Sequence, residues 1–200
     1  MSMKPILFNT EMVRAILDGR KTCTRRICKD ANECTVPDMD FYNADKRTYA
    51  VHNFADNKHT EQLSIAERTC PICPGDILYV RETFIQISAH TFWYKADDNS
   101  WMSEGLRWKP SIHMPKEAAR IWLKVTDVRM ERLQEITEVQ AQAEGCNSGL
   151  LTGVCTARGQ FEDLWNTTIK KSDLDRYGWN ANPWVWVIEF ERRDKPESEE

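Results

Sequence analysis

The sequence predicts an α+β protein built on a small, mostly antiparallel sheet or barrel with short helices at its ends. Stretches of alternating apolar residues indicate about six strands, and three or four short segments have helical periodicity. Strands and helices do not alternate along the sequence in the βαβ pattern that a parallel sheet needs. With 41% hydrophobic residues, the 200-residue chain carries enough apolar surface for a substantial core.

The first elements are predicted to be a strand, a helix and a second extended segment. Residues 6–8 are apolar and indicate a short strand. Asn9 or Thr10 can cap the helix that follows, whose apolar residues recur every four positions. Gly19 suits the left-handed position that ends a helix. The basic, β-branched residues 20–26 then predict an extended chain.

A polar insertion interrupts this pattern at about residues 28–72. Its apolar periodicity fades, while Asn, Asp, Lys and Thr dominate. Because a structureless loop of this length is unusual, we expect the insertion to pack on a core made elsewhere, with a short helix near residues 60–68. We predict one domain over residues 1–192, including the insertion, and an acidic, disordered tail over residues 193–200.

The second half of the chain is predicted to contain strands, a hairpin and two helices. The predicted strands and hairpin are Ile77–Phe84, a hairpin from Phe92 to Trp101, Ile121–Val128 and Trp184–Phe190. A capping box from Thr137 to Gln140 begins a helix that ends before Gly145. Residues 161–165 carry the apolar face of a further helix.

Charge and hydropathy exclude several classes of function. The net charge of −4 argues against a protein that coats a polyanion. From Arg14 to Lys29, however, six basic residues stand against one acidic residue, as a single pocket for a phosphate or a carboxylate requires. Neither an apolar run of about 18 residues nor a secretory signal is visible. We therefore expect a cytoplasmic protein with no membrane partner.

The seven cysteines are expected to be reduced and partly buried. An odd number in a chain with no visible export signal disfavours a disulfide framework. Cys70 and Cys73 have the spacing of one half of a zinc knuckle. Candidates for the other half are Cys28 with Cys34, and His52 with His59. Because neither has the tight spacing of a second pair, we expect no cofactor, and a structural zinc is the alternative.

Lys21, Thr24 and Arg26 form the first candidate site. On an extended chain Thr24 and Arg26 share a face, because side chains alternate between the two faces of a strand. Lys21, at the preceding turn, can reach over that face. An ammonium, a hydroxyl and a guanidinium would then converge within a few ångströms. The alternative is an exposed basic strand whose charges face water.

Glu82 and a tryptophan-containing loop are further candidates. Glu82 continues the stripe of Leu78 and Val80, and a carboxylate on a core-facing stripe is costly unless it is paired or lines a pocket. It is the best-placed acidic partner for the basic cluster. The alternative is that the other face of the strand is buried and Glu82 is exposed. Trp108 and His113 could stack on and hydrogen-bond a nucleobase, or Trp108 could plug the end of a barrel.

These motifs resemble the ASCH family. Gly19-x-Lys21-x-x-Thr24-x-Arg26 matches its G-x-K-x-x-T-x-R signature, and Pro74-Gly75-Asp76-x-Leu78-x-Val80-x-Glu82 resembles its second block. Further segments resemble the remainder of the domain in ASCH proteins carried by bacteriophages and prophages: Ile121–Val128, Gln134–Ile136, Glu144–Gly145 and Asn182–Phe190. The resemblance covers most of the chain outside roughly residues 28–70.

The resemblance implies a PUA-like fold, a small β-barrel with helices around a cleft, in a protein associated with RNA or modified nucleotides. Some small bacterial members are amidohydrolases that remove the acetyl group of N4-acetylcytidine. By position, Lys21, Thr24 and Glu82 correspond to their catalytic lysine, threonine and glutamate. The candidate substrate-binding residues are Arg25, Arg26, Trp108 and His113.

The expected function is therefore hydrolysis of an amide on a modified pyrimidine nucleoside. This reaction needs a nucleophile, a proton shuttle and stabilisation of the oxyanion. Thr24 can attack once Lys21 has taken its proton, and Glu82 could orient the lysine or bind the edge of cytosine. Arg26 either assists catalysis or pairs with Glu82 in a structural role. One alternative is a module that binds RNA or a modified base without turnover. The other is a structural scaffold held together by zinc at Cys70 and Cys73.

Overall fold

The described part of the chain contains ten strands, five short α-helices and six short 3₁₀ turns. A computed structural model describes residues 3–32, 36–43, 48–54, 63–69, 71–97, 105, 107–147 and 156–196. The strands are β1 (Met3–Leu7), β2 (Cys23–Ile27), β3 (Val36–Asn43), β4 (Thr48–Phe54), β5 (Leu63–Thr69), β6 (Ile77–Arg81), β7 (Phe84–Ser88), β8 (Thr91–Tyr94), β9 (Trp122–Arg132) and β10 (Trp184–Arg193). The helices are α1 (Thr10–Leu17), α2 (Lys29–Asn32), α3 (Glu138–Ala143), α4 (Ala157–Thr168) and α5 (Leu174–Tyr177).

The main sheet has five strands in the order β1-β6-β9-β10-β2. β1 and β6 run parallel, and the other neighbours are antiparallel. The predicted α+β class and the mostly antiparallel sheet are thus confirmed. No closed barrel is found among the described strands, since β1 and β2 are the outer strands of this sheet. None of the helices in the described residues is long and apolar enough to cross a membrane.

One side chain spans the gap between the two outer strands. Arg26 on β2 donates from Nη2 to the carbonyl oxygen of Leu7 on β1, at 3.0 Å. The sheet is therefore curled, so that its two edges face one another. A guanidinium joins these edges, in place of the ladder of backbone hydrogen bonds that closes a barrel.

The two faces of the sheet supply separate hydrophobic cores, and β10 contributes to both. Trp186 and Ile188 pack with residues of β1, α1, β6 and β9. Val185 and Val187 pack with residues of α3 and α4. Alternation along the strand accounts for this division, because successive side chains point to opposite faces. Each apolar side chain buried in this way stabilises the fold by about 1.5–3 kcal/mol.

The predicted strand, helix and extended segment at the start of the chain are confirmed. The Asn9 side chain caps α1 by accepting a hydrogen bond from the backbone N–H of Met12 at 2.9 Å. Gly19 follows the helix with a φ of 74°, a conformation that glycine adopts without a steric penalty. The chain then turns, so that Lys21 lies at the entrance to β2.

The end of α3 packs closely against α1. The predicted capping box is present, with hydrogen bonds of 3.2 and 2.9 Å between Thr137 and Gln140. After the helix, Gly145 has a φ of 94°. A Cβ atom at this position would lie 2.8 Å from the Cβ of Ala15 and 3.4 Å from that of Lys21. Glycine is therefore required here both by the backbone conformation and by the lack of space.

The insertion contains a three-stranded antiparallel sheet in the order β3-β4-β5. The predicted helix near residues 60–68 is wrong, because β5 covers residues 63–68 of this segment and pairs with β4 over its whole length. Residues 60–62 lie outside the described residues. The apolar and polar residues alternate from Leu63 to Ile65 with the period of a strand, and pairing with β4 fixes the extended conformation.

Two further predictions about strands need correction. The predicted strand Ile77–Phe84 is interrupted at Glu82, so that β6 ends and β7 begins within it. β7 forms a hairpin with β8 through a turn at residues 89–90, upstream of the predicted hairpin, and Trp101 lies outside the described residues. At the C-terminus β10 extends to Arg193, and residues 197–200 of the predicted tail lie outside the described residues.

We predict that Gly145→Ala destabilises the protein more than Gly19→Ala does. Both glycines have positive φ, which costs another residue about 1–2 kcal/mol. Only at Gly145 would the new Cβ also collide with α1, adding about 1–3 kcal/mol for overpacking, since nothing lies within 4 Å of the Cβ position at Gly19. Urea denaturation of the two variants measures the difference. Equal losses of stability would contradict the close approach of α3 to α1.

Candidate functional site

A cavity of about 360 Å³ lies between β2, the end of β1, α1 and α4. This volume falls within the range of small-molecule sites. Its polar lining residues include Asn9, Lys21, Thr24, Arg25, Arg26 and Glu144. The aromatic side chains of Phe8, Phe161 and Trp165 form part of its apolar lining.

The ammonium group of Lys21 is enclosed by protein acceptors. Its Nζ donates to the carboxylate Oε2 of Glu144 at 2.6 Å, to the carbonyl oxygen of Glu144 at 2.9 Å and to that of Cys23 at 2.7 Å. The Lys21 side chain is 1% exposed. All three ammonium protons therefore have acceptors. A buried charge is tolerated under these conditions, because it is both paired and hydrogen-bonded.

Thr24 and Arg26 lie side by side at the same cavity. Arg26 Nη1 donates to Thr24 Oγ1 at 2.9 Å. The ring of Phe8 is close to both basic groups, with its centroid 5.4 Å from Lys21 Nζ and 5.3 Å from Arg26 Cζ. Both distances suit cation–π attraction. The structure thus brings the lysine, the threonine and the arginine of the basic motif to one cavity.

Arg25 alternates with Thr24 and Arg26 along β2, so it points to the other face of the strand, where it also borders the cavity. Its guanidinium is held by carboxylates of the protein itself. Its Nη1 donates to Glu144 Oε1 at 3.3 Å and its Nη2 to Glu131 Oε2 at 3.1 Å. Its guanidinium lies 5.9 Å from the ring centroid of Phe161. Glu131 also accepts from Arg129 Nε at 2.6 Å, which extends the ionic network towards solvent. Arg25 therefore holds Glu144 in place beside the cavity.

Glu82 is buried, but it does not line this cavity. Its two carboxylate oxygens accept from Arg120 Nε at 2.8 Å and Nη2 at 3.0 Å. The expectation that Glu82 is the acidic partner of the basic cluster is wrong, because Glu144 takes that position. Burial raises the pKa of the Glu82 carboxyl, although the hydrogen bonds and charge of Arg120 oppose this shift.

Trp108 and His113 also lie away from the cavity. Trp108 is half-buried beside Lys109, whose backbone N–H and carbonyl both bond to the backbone of Phe84. His113 is exposed on a short 3₁₀ turn. Neither residue lines the cavity. The hydrogen bonds between Lys109 and Phe84 hold this loop at the start of β7, so the structure does not bring Trp108 and His113 together with Lys21 and Thr24.

The candidate zinc ligands do not form a site among the described residues. Cys28 and Cys73 are both 1% exposed and belong to the first hydrophobic core. Cys34 and Cys70 lie outside the described residues, as does His59. Within the described residues, no group of three or more His, Cys, Asp or Glu side chains could hold a metal ion.

Burial disfavours the thiolate form of the two cysteines nearest the ion pair. Burial raises the pKa of the Cys23 thiol to about 12, and the charge of Glu144 adds to this shift. The same two causes raise the pKa of Cys146 to about 11. Because the thiolate is the nucleophilic form, a thiol that stays protonated at neutral pH is a poor nucleophile. This leaves the hydroxyl of Thr24 as the candidate nucleophile of the cavity.

Sequence reasoning missed Glu144 as a residue of the site. Glu144 follows the last turn of α3 as its C-cap. A negative charge at the C-terminus of a helix opposes the helix dipole, so a glutamate there costs stability unless a cation is nearby. That local conflict, next to a glycine suited to the left-handed position after a helix, was the available signal.

No protein-family model matches the chain, and no curated protein or solved structure is detectably similar to it.

We predict that Glu144→Leu destabilises the protein strongly and that adding Lys21→Met restores most of the loss. The single variant leaves the Lys21 ammonium buried without its carboxylate, which costs about 3–5 kcal/mol. The double variant removes both charges and replaces them with apolar groups of similar size. Urea denaturation measures both. A double variant no more stable than Glu144→Leu would contradict the pairing.

Glu82→Gln is expected to change how stability depends on pH. Because burial raises the folded-state pKa of Glu82 above its ordinary value of 4.5, the folded protein binds more protons than the unfolded chain just above pH 4.5. The contribution of Glu82 to stability is therefore present below pH 4.5 and is lost as pH rises through the folded-state pKa. Glutamine does not titrate. The free energy of unfolding of the wild type, minus that of Glu82→Gln, should fall with rising pH in this window. Urea denaturation across the window measures this difference, and an increase would contradict the burial of an ionisable group.

Proposed function

We propose that the cavity binds an acylated pyrimidine nucleoside, such as N4-acetylcytidine, and that the protein hydrolyses its amide. One observation carries this proposal: a hydroxyl, a paired ammonium and carboxylate, and a guanidinium line one cavity beside aromatic side chains. The resemblance of Lys21, Thr24 and Arg26 to the ASCH amidohydrolases supports the same chemistry. The curled sheet, with a cavity beside its open edges, is compatible with the PUA-like architecture of that family.

Thr24 supplies the nucleophile in this proposal. Because Arg26 donates to Thr24 Oγ1, the lone pair used in that contact is occupied and the hydroxyl proton points elsewhere, available to a base. The arginine holds the oxygen in one position and favours negative charge on it. The same guanidinium can donate to the oxyanion that forms when Oγ1 attacks the carbonyl carbon.

Lys21 and Glu144 move the protons. One proton passes from Lys21 Nζ to Glu144 Oε2 across 2.6 Å, which leaves a neutral amine. This amine takes the hydroxyl proton of Thr24 as the C–O bond forms. The resulting ammonium then protonates the exocyclic nitrogen of the base as the C–N bond breaks. Water hydrolyses the acyl-threonine ester with the same lysine as base, giving a carboxylic acid and the free nucleoside.

The paired state of Lys21 favours a second candidate, binding without turnover. All three ammonium protons already have protein acceptors, so the lysine can act only as a fixed positive charge unless it gives a proton to Glu144. In that case the cavity holds a modified nucleotide, free or within RNA, and does not change it. Arg26, which is exposed, would then contact the phosphate or the base.

Hydrolysis of N4-acetylcytidine by variants tests the proposal. We expect Thr24→Ala and Glu144→Gln to lower kcat/KM by at least about a thousandfold, as loss of a nucleophile or of a proton shuttle does. Glu82→Gln should stay within about tenfold of the wild type, because Glu82 pairs with Arg120 outside the cavity. Chromatographic detection of cytidine measures the reaction.

The other outcomes separate the alternatives. Undiminished hydrolysis by Thr24→Ala would exclude Thr24 as the nucleophile. Loss of activity in Glu82→Gln, with retention in Glu144→Gln, would favour the glutamate that the resemblance implies. Absence of turnover, together with affinity for RNA that falls with added salt and in Arg26→Ala but survives Thr24→Ala, would favour the binding module.

A further inference from the structure

One face of α4 and the residue after it run along the whole cavity. The five lining residues from this segment are Phe161, Leu164, Trp165, Thr168 and Ile169. They are spaced three and four positions apart, as neighbours on one helical face are. All but Thr168 are apolar. At 1.5 Å of rise per residue, the lined stretch is about 12 Å long.

These five residues form an apolar wall that extends from the buried ion pairs to solvent. At its inner end, Phe161 is 4% exposed and lies under the guanidinium of Arg25. Four residues on, Trp165 is 6% exposed. At the outer end, Thr168 is exposed and Ile169 is half-buried. A ligand that reaches Thr24 from solvent therefore lies along an apolar surface.

The outer part of the cavity carries apolar side chains that the fold leaves incompletely covered. Leu7 is 40% exposed. Met12, Ile27, Leu164 and Ile169 are half-buried, and all five residues line the cavity. They come from β1, α1, β2, α4 and the residue that follows α4, so they lie on several sides of the cavity. Apolar surface gathered around a cavity is stabilised when an apolar ligand removes it from water.

We propose that the acyl group of the substrate is a hydrophobic chain of about six to eight carbons that lies along α4, a length shorter than the wall of about 12 Å, which leaves the inner end of the wall to the pyrimidine. This inference rests on the proposed hydrolysis at Thr24. The carbonyl carbon carries two substituents. The departing nitrogen must receive a proton from Lys21, so the pyrimidine lies at the ion-pair end of the cavity. The other substituent then extends along the apolar wall towards the opening.

Binding of a series of acylated nucleosides to Thr24→Ala tests this inference, because this variant leaves the ligand intact. The probes are N4-acetyl-, N4-butanoyl-, N4-hexanoyl- and N4-octanoylcytidine, measured by titration calorimetry. Burial of one methylene group corresponds to about a fourfold gain in affinity. We expect the dissociation constant to fall by about this factor per methylene up to hexanoyl.

Two further variants in the Thr24→Ala background locate the chain. Ile169→Ser and Leu164→Ser place a hydroxyl in the apolar wall, and each should reduce the dependence of affinity on chain length. Asp163→Ser is the matched control, because Asp163 is exposed on the same helix and does not line the cavity. It should keep the full dependence. Thermal melting of each variant establishes that α4 remains folded.

The results distinguish this inference from the proposed function. Equal affinity for all four ligands would overturn the inference, even if the wild type hydrolyses N4-acetylcytidine. An equal response of Asp163→Ser and Ile169→Ser would overturn it as well. Affinity that rises with chain length, without turnover by the wild type, would support the acyl-binding wall and contradict the proposed hydrolysis.

Discussion

The rest of the site depends on the buried ion pair between Lys21 and Glu144. These residues are 123 positions apart in the chain, yet their charged atoms lie 2.6 Å from one another. The pair fixes the start of β2 against the end of α3, and Gly145 allows the approach because it carries no Cβ. Arg25 then binds the second oxygen of Glu144. The walls of the cavity are therefore held together by the same groups that supply its buried charges.

Two buried carboxylates in this protein have partners of different kinds. Glu82 faces a single arginine that stacks on Tyr94, at the edge of the β7–β8 hairpin. An arginine does not give up its proton at any physiological pH, so that contact is structural. Glu144 faces a lysine, whose amine can both release and accept a proton. Only the second arrangement combines a fixed geometry with a route for proton transfer.

Features decided by neighbours in sequence were predictable, and those decided by distant contacts were not. The turn at Gly19, the capping box of α3 and the shared face of Thr24 and Arg26 follow from local rules of backbone geometry. The choice of Glu144 over Glu82 as the acidic partner depends on how α3 packs against α1, which the local pattern does not contain. The strand β5 was missed although its alternation was visible, because the polar composition of the insertion obscured it.

The side chain of Arg26 links the two outer strands of the main sheet, and the gap that it spans is called the seam of the sheet. The guanidinium reaches from β2 to Leu7, and cavities lie on this seam, including the candidate site. Among the described contacts, the Arg26 side chain joins these edges through its hydrogen bond to Leu7 and its position 5.3 Å from the ring centroid of Phe8, and none of the strand pairings described above joins them. The entrance to the cavity is therefore bounded here by side chains, and the hydrogen-bonded backbone framework of the sheet does not depend on them.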